Sequence, residues 1–440
     1  MNKKNLLAIY LNEFDIKFLK SGAKKFKCTN IQKFLRLRKC KTYSPDKVQD
    51  KNLDPWVQSV SINTGKRSSE HKIFKIGQKI NSSNTQIWDS LSKKNISCGV
   101  WGAMNSKFKK NKNLKIYFPD PWNNFDKPFP ENLNYLFKLP RSYAQNYTNF
   151  SIFSNFKNIS LLIIGIFKFG IFNYLTKKVF FYLKIFFNTG IKNYFLFFLL
   201  DIFSLVAYAK IQKKNSLQFS LIFLNSIAHY QHNNWDEKKN HWKFFLLVDE
   251  MFRIINKIYL SYNSLIIFNG FTQKKIKPEY IIRANDFDKF FKDMNIRYKS
   301  ILPNMTNGGF LAFDKIPDKK QAIKILKNYN LFSLNVFEIK STEKLVIFFR
   351  IQIKSCKNLK NFHHKVTKNN FKKYISYEKN FSKYPIYKKN DDLFWFVNRM
   401  TFIKTTGKHI HRGDLIFDNI NIHKNKIENR EIFKIIERHF

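Results

Sequence analysis

Short runs of apolar residues, each ended by a polar cluster, recur along the chain. Four such runs are Leu6 to Leu11, Ser97 to Trp101, Gln218 to Asn225 and Ser264 to Asn269. Their length and continuous apolar character are typical of strands buried on both faces of a sheet. A helical pattern at Phe245 to Tyr259 separates the last two runs, and a strand, a helix and a strand in succession form a parallel unit. The pattern therefore predicts an α/β fold with a mostly parallel central sheet flanked by helices.

Residues 150–214 have a different pattern, dense in Phe, Ile and Leu and interrupted by lysines. The charged interruptions leave no continuous apolar run near the roughly 18 to 20 residues that a membrane-spanning helix needs. We interpret this segment as an inserted, aromatic-rich helical cap made of amphipathic helices. Two interpretations remain open: the cap packs on the core alone, or it also rests on a membrane surface through Phe and Lys side chains.

The chain after Tyr298 mixes short strands with a helical pattern near Lys319 to Tyr329, which predicts a small C-terminal α+β portion. Residues 355–392 are rich in Lys, Asn and aromatic residues and are predicted to form loops. The predicted order is the first part of the α/β core at 1–149, the cap at 150–214, the core continuation at 215–297, the smaller α+β lobe at 298–392 and a return to the core at 393–440.

The composition is strongly basic, with a formal net charge of +48 over 440 residues. Lys, Asn, Ile and Phe are enriched together along the whole chain, as the codons of an AT-rich genome would produce. A nucleic-acid-binding protein concentrates its charge on one face or tail. We therefore interpret the charge as a solvated basic surface and disfavour nucleic acid as a partner. Acidic membrane surfaces and polyanionic glycans remain alternatives.

Cysteine usage and the N-terminus both suggest a reducing compartment. The cysteines are Cys28, Cys40, Cys98 and Cys356, with no CxxC pair and no regular spacing. This pattern favours neither a disulfide framework nor a zinc knuckle. The apolar stretch Leu6 to Leu11 is shorter than a secretory signal requires. We expect a cytoplasmic protein, with peripheral contact to the inner membrane face as the alternative.

Polar residues directly after the first predicted strand are the first candidates for chemistry. Ligands of parallel α/β folds bind beyond the carboxyl ends of the strands. Asn12, Glu13 and Asp15 occupy that position. A carboxylate there would be well placed to hold a cation. The alternative is that Asn12 or Asp15 caps the next helix.

A pair of histidines follows the strand at Gln218 to Asn225. The stretch Ala228 to Trp235 contains His229 and His232, and neutral imidazoles are common ligands of divalent transition metals. Single histidines are usually structural, but a pair at this position predicts a metal-binding or substrate-binding role. We expect Trp122 and Trp235 near the mouth of the site, where they would hold a bulky substrate.

A second pair of histidines lies near the C-terminus, in the stretch Thr405 to Ile416. His409 and His411 point to one side if this stretch is extended. Gly407 and Gly413 would allow the backbone to approach something bound closely. The alternative is a glycine-marked turn with exposed basic residues.

This C-terminal stretch also carries a family resemblance. Gly407-x-His409-x-x-x-Gly413-x-Leu415-Ile416 resembles the C-terminal signature of the alkaline phosphatase superfamily, especially its type I phosphodiesterase and nucleotide pyrophosphatase branch, where the His binds a metal. Ser61 to Lys66 is similar to the segment after that family's nucleophile, and Phe223 to His232 to the strand ending in Asp-x-x-x-His. The resemblance runs, with gaps, over about residues 6 to 275 and 395 to 420.

The chain departs from the family pattern at most of the metal ligands. The corresponding positions hold residues of a different kind, namely Ala228, Gly270, Phe271 and, after the first strand, Asn12 or Glu13. His229, beside Ala228, could substitute for one lost ligand. The nucleophile position falls on Pro55, with Asp54 and Ser59 as the nearest candidates. The resemblance therefore implies one metal in place of the two-metal clamp.

These observations predict a divergent, metal-dependent hydrolase or transferase acting on a phosphate-type or sulfate ester. One divalent metal, zinc or manganese, would be held by Glu13, His229, His232 and His409. A metal-activated water, Asp54 or Ser59 would be the nucleophile. The substrate would be a phosphorylated or sulfated small molecule, a glycan or a lipid-linked compound. The alternative is a catalytically inactive pseudoenzyme that binds an anionic glycan or phospho-ligand.

Overall fold

The structure is a computed structural model that describes residues 4–46, 53–146, 150–189, 193–304, 307–331, 334–352, 396 and 399–440. Contacts divide the chain into two compact units, one of residues 1–277 and 406–440 and the other of residues 278–405. The chain passes between the units within two strands, β7 (Thr272–Ala284) and β14 (Met400–Ile410). The segment 355–392, predicted to form loops, lies outside the described residues.

An eight-stranded, mostly parallel sheet forms the centre of the first unit. Its spatial order is β4-β3-β5-β1-β6-β15-β2-β16, and only β15 runs antiparallel to its neighbours. The strands are β1 (Leu6–Leu11), β2 (Arg38–Tyr43), β3 (Cys98–Trp101), β4 (Leu114–Phe118), β5 (Phe219–Leu224), β6 (Ser264–Phe268), β15 (Arg412–Asp418) and β16 (Lys426–Glu428). This topology confirms the predicted α/β class.

The innermost strands have the continuous apolar sequences that burial on both faces requires. Every residue of β1, β5 and β6 is buried. Such strands cannot alternate polar and apolar positions, because helices cover both faces of the sheet. Their backbone groups form hydrogen bonds along the sheet. Most of the polar side chains near these strands lie in the loops that follow the strand ends.

Helices surround this sheet, and several have start and stop signals in the sequence. The Asp15 carboxylate caps the first helix by accepting from the Phe18 amide at 2.7 Å. The helices of the first unit are α1 (Ile16–Lys25), α2 (Thr29–Leu35), α3 (Pro55–Thr64), α4 (Ser68–His71), α5 (Ile87–Lys93), α6 (Asn134–Asn146), α7 (Phe156–Lys168), α8 (Ile171–Thr189), α9 (Asn193–Asn215), α10 (Ser226–Asn234), α11 (His241–Tyr259) and α14 (Glu431–His439).

Helices α7, α8 and α9 form the segment that was predicted to be a helical cap. Contrary to the sequence prediction, Tyr194–Asn215 does meet the length and mean hydropathy (1.8) of a membrane span. Its buried residues, among them Phe198, Ile202, Leu205 and Tyr208, belong to the main hydrophobic core. Tyr208 also contacts the Ser220 hydroxyl on β5. Part of its apolar character is therefore used in packing on the core.

The second unit is a smaller α+β structure with its own core. A four-stranded antiparallel sheet has the order β12-β13-β9-β8. Its elements are β8 (Ser300–Pro303), β9 (Gly308–Ala312), β12 (Phe337–Glu343), β13 (Val346–Ile351), α12 (Phe287–Asp293) and α13 (Ile316–Asn328), with the short strands β10 (Asn330–Leu331) and β11 (Leu334–Asn335). The predicted lobe at 298–392 falls inside this unit, which also takes in the outer parts of β7 and β14.

One side chain of the cap fixes the start of α10. The Asp201 carboxylate on α9 accepts hydrogen bonds from the amides of Asn225 and Ser226 at 2.9 and 2.8 Å. These amides are the first, otherwise unpaired donors of α10. Burial raises the pKa of Asp201 to about 6, and its hydrogen bonds with Ser226 and the Asn225 amide act in the opposite direction. The cap therefore sets the position of the helix that carries His229 and His232.

We expect Asp201→Ala to lower the free energy of unfolding by about 1 to 2 kcal/mol, because two partly buried amides lose their acceptor. Asp201→Asn keeps an acceptor oxygen and is the matched control, which should lose less. Because the folded pKa is raised above the ordinary 3.8, ionisation of Asp201 costs stability as the pH rises towards and through about 6. The free energy of unfolding, measured with urea, should therefore fall between pH 5 and pH 7.5 in the wild type more than in Asp201→Asn. Equal stability of wild type and Asp201→Ala would contradict this anchor.

Candidate metal centre

Three chain segments meet at the carboxyl edge of the central sheet. Glu13 follows β1, and α10 follows β5 with His232 in its last turn. His409 lies at the end of β14, directly before β15, which begins at this edge because it runs antiparallel to β6. The parallel topology thus brings together residues that are far apart in sequence.

Glu13 is held in an unusual backbone conformation by its neighbours. Its φ of +53° lies in the left-handed region, which costs a residue with a Cβ roughly 1 kcal/mol or more. Its carbonyl accepts from Gln231 Nε2 at 2.9 Å and from Thr272 Oγ1 at 3.0 Å. These contacts hold the strained turn in place. Strain that the surrounding structure maintains in this way is typical of functional sites.

Thr406 connects the C-terminal segment to the end of α10. Its hydroxyl accepts from the Trp235 amide at 3.0 Å and lies 3.0 and 3.1 Å from the carbonyl oxygens of Gln231 and His232. Gly407, the next residue, is in close contact: a Cβ there would lie 1.9 Å from Gln273 Oε1 and 2.8 Å from the Gln231 carbonyl. This close approach sets the distance between the two histidine-bearing segments.

The side chains of Glu13, His232 and His409 converge on one point. Glu13 Oε2 lies 3.0 Å from His232 Nε2 and 3.1 Å from His409 Nε2. The two Nε2 atoms are 3.3 Å apart. Ligand atoms at about 2.0 to 2.1 Å from a tetrahedral zinc lie about 3.3 Å from one another. One carboxylate oxygen and two imidazole nitrogens are therefore spaced as three ligands of a single tetrahedral ion.

The electrostatics of the cluster reflect a buried carboxylate between two imidazoles. Burial by itself raises the pKa of Glu13, but His409 and His232 offset it and hold that pKa well below its usual range. Burial also disfavours a charged His409, yet the nearby Glu13 and, more weakly, Asp54 raise the pKa of that imidazole. The carboxylate is thus ionised and needs positive charge beside it. Protons on the imidazoles or a bound cation would supply that charge.

Hydrogen bonds from the second layer orient the three candidate ligands. Gln273 Nε2 donates to Glu13 Oε2 at 2.6 Å, and Asn12 Nδ2 donates to Glu13 Oε1 at 3.1 Å. The backbone of Leu53 also contributes to the raised pKa of His409. Such outer contacts fix the ring orientation of metal-ligating histidines.

His229, one of the four predicted ligands, is not part of the converging group. Its Nε2 lies 3.2 Å from Asn225 Nδ2, and the Phe197 ring of α9 stacks on its imidazole at a centroid distance of 3.6 Å. Burial lowers the pKa of His229 to about 4, with a further contribution from His232. The structure therefore places His229 in the supporting layer, where Asn225 connects it to Asn12.

The two candidate nucleophiles have very different surroundings. Ser59 is 0% exposed, and its hydroxyl donates to the Met104 carbonyl and accepts from Asn63 Nδ2, both at 3.2 Å. This closed environment keeps Ser59 away from a substrate. Asp54 is only partly buried, and its charge reaches His409. Of the two, Asp54 is the one whose charge acts on the cluster, by raising the pKa of His409.

Other predicted features serve the fold. Asp15 caps α1, so the helix-cap interpretation applies to this residue and not the cation-binding one. The close approach that Gly413 allows is to protein atoms and not to a bound molecule. A Cβ at this position would lie 2.3 Å from Thr42 Oγ1 and 2.4 Å from Asn269 Oδ1. Trp235 is buried against Phe18, with ring centroids 5.2 Å apart, and so does not line a mouth. His411 is exposed.

The sequence did not identify the residues that support the cluster. Gln231 and Thr406 lie within the stretches that the sequence singled out, and Gln273 lies two residues after Phe271, but nothing in their spacing distinguishes them from ordinary polar residues. Glu13, Gln273 and Asn12 are linked by hydrogen bonds, and Asn12 Oδ1 and Gln273 Oε1 are buried with no hydrogen-bond partner among the described residues. Unpaired buried oxygens of this kind mark sites of ordered water or ions.

Among the described residues, this is the one group of three or more potential ligands that converges. Gly270 and Phe271 follow β6, at the positions where the family resemblance would place a second ligand pair. The Phe271 ring is fully buried and lies edge-on to His409 at a centroid distance of 4.7 Å. The expectation of a single metal is thus consistent with the geometry.

Comparisons with known proteins give structural likenesses alone. No protein-family model and no curated protein matches the chain. It is similar to the phosphonoacetate hydrolase of Sinorhizobium meliloti in complex with phosphonoacetate, with a TM-score of 0.42 and 8% identity over 100% of this chain and 96% of that chain. It is also similar to murine and human ectonucleotide pyrophosphatase/phosphodiesterase 5, with a TM-score of 0.44 and 9% identity over 98% of this chain and 94% of those chains.

These similar structures are members of the alkaline phosphatase superfamily, the family that the sequence motifs resemble. A phosphonate hydrolase and a pyrophosphatase/phosphodiesterase are the activities that their names state. Likeness at this level of identity and TM-score carries no inference about the activity of this chain. Activity has to be inferred from its own residues.

We expect the purified protein to bind about one equivalent of zinc, as measured by elemental analysis and by competition with a chromophoric chelator. His232→Ala, His409→Ala and Glu13→Gln each remove one ligand and should weaken binding at least about 100-fold. His411→Ala is the matched control and should bind like the wild type. Unchanged zinc affinity in both His232→Ala and His409→Ala would show that these residues do not form the site.

Gln273→Leu tests the second layer separately. It keeps a side chain of similar size but removes the hydrogen bond to Glu13 Oε2. We expect a zinc affinity about 10- to 100-fold lower with the fold retained, since outer hydrogen bonds contribute on this scale. The thermal unfolding of metal-free Gln273→Leu provides the control. An affinity equal to that of the wild type would contradict an orienting role for Gln273.

Proposed function

We propose that the chain is a metal-dependent hydrolase or transferase of a phosphate-type or sulfate ester, with one divalent metal held by Glu13, His232 and His409. The observation that carries the proposal is the convergence of Glu13 Oε2 and the two Nε2 atoms within 3.3 Å of one another. Two imidazoles and one carboxylate form a donor set that suits zinc or manganese. Bound there, such a metal would polarise an ester oxygen and activate a water molecule.

Solvent exposure supports a catalytic site over a purely structural one. The Glu13 side chain is 1% exposed, whereas those of His232 and His409 are 30% and 22% exposed. The carboxylate therefore forms the closed floor of the site, and the histidines border its open side. Structural zinc sites are enclosed by four protein ligands, while catalytic sites have three and an open position. Three ligands with one accessible side fit the catalytic arrangement.

Asp54 is the residue best placed to assist the reaction. Asp54 is the residue directly before α3 and is partly buried. Its charge contributes to the raised pKa of His409. A carboxylate beside the ligands can accept a proton from an attacking water or alcohol, or attack the ester itself. Ser59 is left out of the proposal because its hydroxyl is buried and hydrogen-bonded within the protein.

The charge of the chain favours an anionic substrate. A net charge of +48 attracts phosphate-bearing and sulfate-bearing compounds and disfavours cationic ones. The Glu13 carboxylate would be neutralised by the metal, so that it would not repel the ester. The ester would belong to a small molecule, a glycan or a lipid-linked compound.

The alternative is a protein that binds an anionic ligand without turnover. The specific observation in its favour is Phe271, which is fully buried against His409 where a second metal ligand would be expected. Without a second metal, attacking and leaving oxygens cannot both be clamped. Catalysis would then depend on one metal and Asp54, and a site that lacks an effective nucleophile would bind its ligand unchanged.

We expect metal-loaded protein to hydrolyse bis(4-nitrophenyl) phosphate or 4-nitrophenyl sulfate slowly, measured by nitrophenolate release with added zinc or manganese. Chelation and His232→Ala should each abolish turnover. Asp54→Asn should lower kcat about 100-fold or more if this carboxylate transfers the proton or attacks the ester. His411→Ala and Ser59→Ala are the controls and should stay within about twofold of the wild type.

The same experiment separates the two candidate functions. Turnover that survives Asp54→Asn would assign the attack to water without help from this residue. Zinc-loaded protein that binds phosphate in calorimetry but turns over no ester in the panel would establish the binding protein and contradict the enzyme. Turnover without added metal and in His232→Ala would contradict both the site and its chemistry.

A further inference from the structure

The exposed large apolar side chains of the described chain concentrate in the segment 152–187. Phe153 is 94% exposed and Phe180 is 85% exposed, which is unusual for phenylalanine. Isolated exposed apolar residues occur on all soluble proteins, but a contiguous group of them marks an interaction surface. The sequence of this segment therefore contains more apolar residues than the packing of the cap uses.

These side chains form one stripe on each of two helices. On α7 the stripe consists of Phe156, Ile163, Ile164 and Phe167, and on α8 of Phe172, Val179, Phe180, Leu183 and Phe187. Counted from Phe156 and from Phe172, the other members follow after seven, eight and eleven residues, and Phe187 follows after fifteen. This spacing places each set on a single helix face. The rings of Phe167 and Phe172 stack at a centroid distance of 4.6 Å across the turn, so the two stripes are continuous.

The opposite faces of both helices pack into the first unit. Gly165 of α7 lies against Leu136 and Tyr135, close enough that a Cβ would be 2.8 Å from Leu136 Cδ2. Tyr182 and Ile185 of α8 belong to the main core. The stripes are thus the outer faces of helices that already have a packed inner face. The apolar sequence cannot be explained by the core alone.

Charge distinguishes this surface from an ordinary protein interface. No Asp or Glu occurs between Glu131 and Asp201. Lys157, Lys177 and Lys184 are exposed on the same two helices. Aromatic residues flanked by lysines, with no acidic residues, are typical of helices that lie in the interface of a membrane with anionic lipids.

A second copy of the chain would be a poor occupant. Symmetric pairing of the stripes would bring the exposed lysines of both copies together, with no carboxylate in the segment to neutralise them. A transmembrane arrangement of α7 with α8 is also disfavoured. The two helices have the apolar length of a span only when taken together, and they are bent by 90° relative to each other, so they do not form one straight crossing.

We propose that the stripes of α7 and α8 dock the protein on the surface of an anionic bilayer, with the aromatic side chains among the lipid chains and the lysines at the headgroups. This surface differs from the metal centre, so the proposal does not depend on the proposed function. It would bring the site to substrates at a membrane without placing any helix across it.

Sedimentation of the full chain with lipid vesicles tests this proposal. We expect binding to vesicles of phosphatidylcholine with phosphatidylglycerol, and at least about tenfold weaker binding to phosphatidylcholine alone, with release at high salt. Phe156→Ser combined with Phe180→Ser should weaken binding at least about tenfold. Phe125→Ser combined with Leu260→Ser removes two exposed apolar residues outside the stripes and is the matched control, which should bind like the wild type.

A second pair of variants separates local charge from general basicity. Replacing Lys157, Lys177 and Lys184 by Gln should remove most of the preference for phosphatidylglycerol, whereas replacing the exposed Lys109, Lys110 and Lys112 should not. Circular dichroism and thermal unfolding establish that each variant folds. Equal effects of the two lysine sets would attribute binding to net charge and overturn the proposal.

The remaining outcomes also decide the matter. Absence of binding to either vesicle would overturn the proposal. Concentration-dependent dimers that disappear in Phe156→Ser with Phe180→Ser would identify the stripes as a self-association surface and overturn it. Retention of native protein in membranes after alkaline carbonate would show a spanning helix and overturn surface docking.

Discussion

The buried carboxylate of Glu13 is the constraint on which the rest of the site depends. It sits on a backbone turn in the left-handed region, directly after a fully buried strand. A buried negative charge is costly unless positive charge and hydrogen-bond donors surround it. Two histidines, Asn12 and Gln273 meet that requirement here. Each of them belongs to a different chain segment, so the charge organises the edge of the sheet.

The helical cap takes part in this organisation and is not simply an addition to the core. Helix α9 provides Asp201, which holds the start of α10, and Phe197, which stacks on His229. The same helix contributes a large part of the main core. Part of its apolar surface is therefore buried in the core, whereas the apolar faces of α7 and α8 have no partner in the described chain. The cap thus supports the candidate site and also presents an exposed apolar surface, which we propose to dock on lipid.

The converging group can hold a single metal ion. Glu13, His232 and His409 form the only group of three or more potential ligands among the described residues, and the apolar Phe271 ring lies beside His409. A single metal with an accessible side can still polarise an ester, but it cannot clamp both oxygens of an in-line displacement. Under the proposed function, the Asp54 carboxylate would therefore have to assist the attack.

The fold class and the stretches that hold the candidate ligands follow from local patterns in the sequence. Strands such as β1 and β5 are recognisable because burial on both faces demands nearly continuous apolar residues, and His232 and His409 lie in polar stretches near the ends of such strands. The convergence of the candidates arises from the packing of distant segments. His229 and His232 lie three residues apart, but the helix turns one towards Asn225 and the other towards Glu13. Ser59 and Asp54 look equally placed in sequence, but α3 buries the hydroxyl and leaves the carboxylate partly exposed. Convergence depends on side-chain directions and on contacts between distant residues such as Thr406 and Gln231, which local spacing does not contain.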